Sequence, residues 1–98
     1  MKETRILVVG AGSAGRMEVL ELRGHPESRY VPVAFVEDDP AKQGREVEGI
    51  LVLGGLDDIP RILTETRAEE ILIALPSVHG IVIREIVAVC RTERVRFR

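Results

Sequence analysis

At 98 residues the chain has the length of one domain, enough to bury a core without disulfides but short for a complete dinucleotide enzyme, which points to a module of something larger. Its 45% hydrophobic and 31% charged residues argue against disorder, and a net charge of −2 with scattered Lys and Arg leaves no broad basic field for nucleic acid or an anionic membrane. The lone Cys90 excludes a disulfide framework and a multi-cysteine zinc site within one chain, and reads as core filler in a reduced compartment.

The run Arg5 to Val9 is β-branched and leucine-rich, as expected of a central parallel strand covered on both faces. It runs into Gly10-Ala11-Gly12-Ser13-Ala14-Gly15, a G-x-G-x-x-G turn, and then into a helical stretch from Ser13 to Arg23 carrying Ala14, Met17, Leu20 and Leu22 among charges. Strand, glycine turn and helix in that order are the context in which the motif has a mechanism. Gly10 would make the tight turn, Gly12 would let a pyrophosphate approach the backbone, and Gly15 would let the helix pack on the strand. The N–H groups of Ser13, Ala14 and Gly15 would then face the phosphates at the helix N-terminus. The bland alternative is a glycine turn kept for flexibility.

Gly24-His25-Pro26 ends the helix, with Gly24 suited to a left-handed cap. A second strand, Val31 to Val36, follows, and Pro32 restricts its start to an edge or opening position. It ends in Glu37-Asp38-Asp39-Pro40. Glu37 lies 22 positions beyond Gly15, close to the spacing of about 20 at which an acid accepts the adenosine ribose hydroxyls, and a carboxylate there would disfavour a 2′-phosphate. Asp38 and Asp39 also suit a solvated turn. Residues 41–48 are polar and read as a loop with one helical turn at most. Gly49 to Gly55 frames a short strand, Asp57 or Asp58 can cap a helix with Pro60 in its first turn, and Glu70 to Leu75 is a fourth strand stopped by Pro76. Ser77 would cap a last helix reaching about Thr92, with Val82, Ile83, Ile86, Val87 and Cys90 as its apolar stripe, and Val95-Arg96-Phe97 is a fifth strand. The alternation predicts a single α/β domain over residues 1–98, a doubly wound parallel sheet of about five strands with helices on both faces.

Leu75, Pro76, Ser77 and His79 fall where the strand order should reverse, so they could line a ligand crevice. Ser77 reads equally as a helix cap and His79 as an exposed first-turn residue; no carboxylate pairs with His79, which leaves a catalytic dyad unsupported. Arg16 could approach a phosphate or face solvent. Tyr30 lacks a Tyr-x-x-x-Lys partner, since Ala34 stands where the lysine would be. The two histidines and one cysteine are too scattered for a metal site.

Taken together, Ile6 to Gly15, Val33 to Pro40, Gly49 to Gly54 and Ile71 to Pro76 resemble the N-terminal Rossmann domain, CoA-binding-like, of bacterial polysaccharide-biosynthesis proteins. These are the membrane-anchored nucleoside-diphosphate-sugar epimerases and dehydratases of the CapD type and the related undecaprenyl-phosphate sugar phosphotransferases. The resemblance covers essentially the whole chain. It implies a nucleotide-binding accessory module, the sugar chemistry lying in a domain this chain lacks, with Gly10, Gly12 and Gly15 as the phosphate turn and Glu37, where such domains usually carry Asp, as the ribose contact. NAD is the expected ligand, with CoA or another adenine nucleotide as alternatives. Two other readings stay open: the cofactor half of an NAD-dependent sugar oxidoreductase, and a regulatory or assembly domain that keeps the glycines for packing. The direct approach of Met1 to Arg5 into a strand, without a signal-peptide core, predicts a cytoplasmic domain, and the final strand would leave an exposed edge through which a homodimer could form.

Overall fold

Six strands, β1 (Thr4–Val9), β2 (Tyr30–Val36), β3 (Glu46–Val47), β4 (Ile50–Gly54), β5 (Glu70–Ile73) and β6 (Arg96–Phe97), form one sheet in the computed structural model, which describes residues 2–75 and 80–98. The order is β3-β4-β2-β1-β5-β6. Every pairing is parallel except β3 with β4. Three helices complete it: α1 (Ser13–Gly24), α2 (Ile59–Thr66) and α3 (Gly80–Glu93).

The central strand is buried on both faces, as its unbroken apolar run demands. Ile6 and Val8 pack with Val19 of α1, Phe35 and Val52, whereas Leu7 and Val9 pack with Ile59 and Ile62 of α2 and Ile86 and Cys90 of α3. Helices therefore lie on both faces, α1 on one and the other two opposite it. Phe35, fully enclosed beneath α1, contributes on the order of 2–3 kcal/mol by leaving water. On the opposite face α2 turns Ile59, Ile62 and Leu63 inward at helical spacing, with Pro60 accommodated in its first turn.

Several expectations are corrected in detail. The sheet has six strands, because residues 46–47 form a short antiparallel ladder with β4 inside the segment read as loop. The connecting residues Glu48 and Gly49 both have positive φ, 52° and 76°, the geometry of a two-residue hairpin turn. In α1 the inward residues are Gly15, Val19 and, partly, Ala14 and Leu22; Met17 and Leu20 fall off that stripe and are 65% and 45% exposed. Gly24 closes α1 without a left-handed cap: His25, at φ −132°, donates its N–H to the Leu22 carbonyl, and Pro26–Ser28 make a 3-10 turn. Asp58 Oδ2 accepts the Gly55 N–H at 2.9 Å, so it caps the 3-10 turn Leu56–Asp58 rather than α2. In α3, Ile86 and Cys90 are buried while Ile83 faces out. β5 stops at Ile73 rather than Leu75.

Pro32 sits where a missing N–H costs little. β4 joins β2 only at Phe35 and Val36, leaving Pro32 with a strand neighbour on the β1 side alone, and the register slips there between Ile6 and Leu7. At the opposite margin, β6 is the last strand of the sheet, paired with β5 at Glu70 and Ile71.

Candidate functional site

The C-terminal ends of four strands are drawn level by hydrogen bonds just beyond them. Gly10 N–H donates to the Val36 carbonyl, Ala74 N–H to that of Val9, and Glu37 N–H to that of Gly54, at 2.8, 2.8 and 2.9 Å. From β1 the chain passes through α1 to β2 on one side, while β5 lies on the other, so the crevice above β1 is the point at which the order reverses. Ligands of open α/β sheets bind at that point.

The three glycines have three separate structural reasons. Gly10 adopts φ +107°, and a Cβ on it would come 2.5 Å from the Ala74 carbonyl oxygen. At Gly15 a Cβ would run into the carbonyl of Gly10 and approach Phe35 Cε1 to 3.1 Å, so glycine sets how closely α1 seats on the turn. Gly12 is different. Its backbone, φ −84° and ψ −160°, is open to any residue, and among the described residues only Lys42 Nζ, 3.9 Å away, comes near the place its Cβ would occupy. Gly12 is also the N-cap of α1 and supplies no side-chain acceptor, which leaves the first-turn N–H groups around Ser13, Ala14 and Gly15 without a capping side chain. The turn is thus open where a phosphate would have to approach, and closed-packed elsewhere.

Glu37, half-buried at the end of β2, holds the turn from the other side. Its Oε1 accepts the Ala11 N–H at 3.0 Å and its Oε2 the Asp39 N–H at 3.1 Å. Each oxygen keeps a further lone pair. Asp38 Oδ1 accepts the Leu56 N–H at 2.8 Å, tying the β2 end to the β4 end, and Asp39 Oδ1 caps the following turn through the Ala41 N–H at 3.0 Å. Leu75 joins Val9, Val36, Glu37, Asp38 and Leu56 around a small cavity of about 50 Å³. The structure therefore brings Gly10, Ala11, Gly12, Ser13, Ala14, Gly15, Glu37, Asp38 and Leu75 to one end of the sheet; Pro76, Ser77 and His79 lie outside the described residues.

A larger pocket, of about 320 Å³, opens beside the turn between α1 and the hairpin. Ala11, Gly12, Ser13 and Arg16 line it from the turn and α1, and Lys42, Arg45, Glu46 and Val47 from the facing segment. The hairpin wall is fixed from α1: Arg16 pairs with the Glu48 carboxylate at 2.9 Å, and the Arg23 guanidinium donates to the Glu48 carbonyl at 2.5 Å. Lys42 and Arg45 had no motif to mark them in the sequence. They meet Gly12 only because the 39–45 segment folds back along β4, where Gly44 N–H donates to the Val52 carbonyl and Val52 N–H to that of Arg45.

The remaining candidates lie elsewhere. His25 is exposed and placed between Glu21 and Glu27, 3.3 and 3.2 Å away. Tyr30 is half-buried with the Arg98 guanidinium 4.3 Å above its ring. Cys90 is enclosed under α3, and burial pushes its thiol above the ordinary value. Among the described residues no group of His, Cys, Asp and Glu is arranged to hold a metal ion, and no helix is long and apolar enough to cross a membrane.

Comparison with known proteins agrees with this fold. Residues 1–98 match the CoA-binding domain family along their whole length. The probable polysaccharide biosynthesis protein EpsC of Bacillus subtilis is 37% identical over 76 residues, 78% of this chain and 13% of that protein. The capsular polysaccharide biosynthesis protein CapD of Staphylococcus aureus is 36% identical over 90 residues, 91% of this chain and 15% of that protein. The chain thus spans less than a sixth of the length of these two relatives. Among solved structures, UDP-D-quinovosamine 4-dehydrogenase from Vibrio fischeri superposes with a TM-score of 0.84 at 25% identity, covering 98% of this chain and 76% of that one. With its full length matched, two biosynthetic relatives above one-third identity and a Rossmann-type sheet order, the chain belongs to the CoA-binding domain family.

Proposed function

We propose that this domain binds an adenine dinucleotide, NAD, as the nucleotide-holding module of a longer polysaccharide-biosynthesis protein whose sugar chemistry lies outside residues 1–98. The observation that carries the reading is the hydrogen bond from Ala11 N–H to Glu37 Oε1 beside the open flank of Gly12. It fixes an anionic acceptor for ribose hydroxyls at a set distance from a turn able to take the diphosphate. In this reading Gly10, Ala11, Gly12, Ser13, Ala14 and Gly15 cradle the phosphates, Glu37 receives the ribose, and Asp38 and Leu75, with Pro76 and Ser77 beyond, border the rest of the ligand. When bound, NAD would supply hydride chemistry; the chain's own residues supply only binding and orientation.

Calorimetric titration of the domain with NAD, NADP, ADP and CoA, beside a Glu37→Ala variant, tests it. The expected outcome is NAD binding that exceeds NADP and weakens about tenfold or more in the variant, the worth of charge-assisted hydrogen bonds to two hydroxyls. Binding of CoA with no response to Glu37→Ala would overturn the ribose assignment and favour the ligand in the family's description. Absence of binding at millimolar concentrations of all four would make the glycine turn a packing device.

A further inference from the structure

We infer that Lys42 and Arg45 are the charge partners of the ligand's diphosphate, so that the phosphate subsite is built by two separate pieces of chain rather than by the glycine turn alone. The inference rests on the nucleotide-binding reading and adds residues to it. Lys42 Nζ is 3.9 Å from the Cβ position that glycine leaves free at residue 12, the side on which a diphosphate must come to the turn. Lys42 and Arg45 line the same 320 Å³ pocket as Ala11, Gly12 and Ser13. Among the described residues neither side chain makes a hydrogen bond or ion pair. Arg16, the third cation of the pocket, is already committed to Glu48, and the only carboxylate in the lining is Glu46. Two unpaired cations against one carboxylate leave the pocket cationic in a chain whose net charge is −2.

The backbone that carries them is fixed by hydrogen bonds. Asp39 caps the turn that carries Lys42, whose N–H donates to the Asp39 carbonyl at 3.0 Å, and Arg45 N–H donates to the Lys42 carbonyl at 3.2 Å. The same segment is laddered to β4 through Val52. The segment that bears the two cations is therefore in place at the pocket wall before any ligand arrives, and a diphosphate entering beside Gly12 would have the first turn of α1 on one side and the ammonium and guanidinium groups within reach on the other.

The test uses the whole domain with Lys42→Met, Arg45→Met and the double variant, each first checked for an unchanged thermal melt. Dissociation constants are measured for adenosine, ADP, dephospho-CoA and CoA at two salt concentrations. Each single variant should weaken ADP and dephospho-CoA roughly threefold to tenfold, the span from an exposed to a partly enclosed ion pair, with adenosine unmoved and a flatter salt dependence in the double variant. Equal losses for CoA and dephospho-CoA agree with a diphosphate partner. A loss confined to CoA would move the cations to its ribose phosphate and overturn the assignment, as would equal losses for ADP and adenosine, or none. If the unsubstituted domain binds no adenine nucleotide, the nucleotide reading itself falls and this assignment falls with it.

Discussion

Replacing Gly15 by Ala would test the packing role of the glycine turn. On helix propensity alone the change would stabilise α1 by about 1 kcal/mol. Against that, the new methyl would overlap the carbonyl of Gly10, a backbone atom that cannot rotate aside, and would press on Phe35 Cε1 at 3.1 Å. Relief requires α1 to lift from the turn, and overpacking of this kind costs about 1–3 kcal/mol. Lifting also loosens Val19, fully buried at the same interface, whose burial is worth roughly 1.5–2 kcal/mol. The net expectation is a loss of about 2–3 kcal/mol, which for a domain of this size lowers the melting temperature by roughly 10–20 °C. Thermal unfolding followed by circular dichroism, with Gly12→Ala run in parallel, measures it. Gly12→Ala has room for its methyl and should stay within about 1 kcal/mol of the parent, the worth of an N-cap preference. A Gly15→Ala domain melting within about 2 °C of the parent would refute the reasoning, as would a Gly12→Ala domain that falls as far.

Three further outcomes are expected. Glu70, only 6% exposed, meets Arg98 at 3.3 Å and Arg96 at 3.9 Å, so Glu70→Ala should free β6; amide exchange at Arg98, whose N–H is bonded to the Ile71 carbonyl, should quicken severalfold while β1 amides hold their protection. Lys2, with a smaller contribution from the Arg5 N–H, holds the Glu69 carboxyl below its ordinary 4.5. Because the folded value is the lower one, that contribution is complete above pH 4.5 and fades as the pH falls through the native value, so the difference in urea midpoint between the parent and Lys2→Ala should be level at neutral pH and vanish in acid; a difference that persists at pH about 2 would refute it. Cys90, enclosed and with its thiol pushed up, should resist a thiol reagent at neutral pH until denaturant unfolds the domain; prompt labelling of the native domain would contradict its placement.

The glycine turn, the acidic end of β2 and the alternation of strand and helix were legible in the sequence because each is a local signal: special backbone angles, a charge after an apolar run, a change of period. The hairpin was not, since a two-residue strand has no period to detect and Glu48-Gly49 lacks the asparagine or aspartate that usually marks such a turn. The apolar residues of α1 do not by themselves mark its buried face: Gly15 and Val19 set the angle around the helix, and Met17 and Leu20 lie off it. Lys42 and Arg45 stand in a polar stretch where nothing marks them as neighbours of the glycine turn. Their meaning depends on meeting Gly12, 30 and 33 positions earlier in the chain, and that meeting is made by the ladder to β4.

The central place of β1 bears on how the domain is made as well as on what it holds. β1 is flanked by β2 and by β5, and Ile6 faces Glu70, 64 positions later in the chain. At synthesis rates of about 5–20 residues per second, the second flank arrives roughly 3–13 s after β1. Until then Leu7 and Val9 lack β5 beside them and α3 over them, so the nascent chain carries the glycine turn well before it carries a finished core. Release from chaperones should therefore wait on the emergence of β5 and α3, and arrest of translation before residue 70 should leave a chain that binds a holdase.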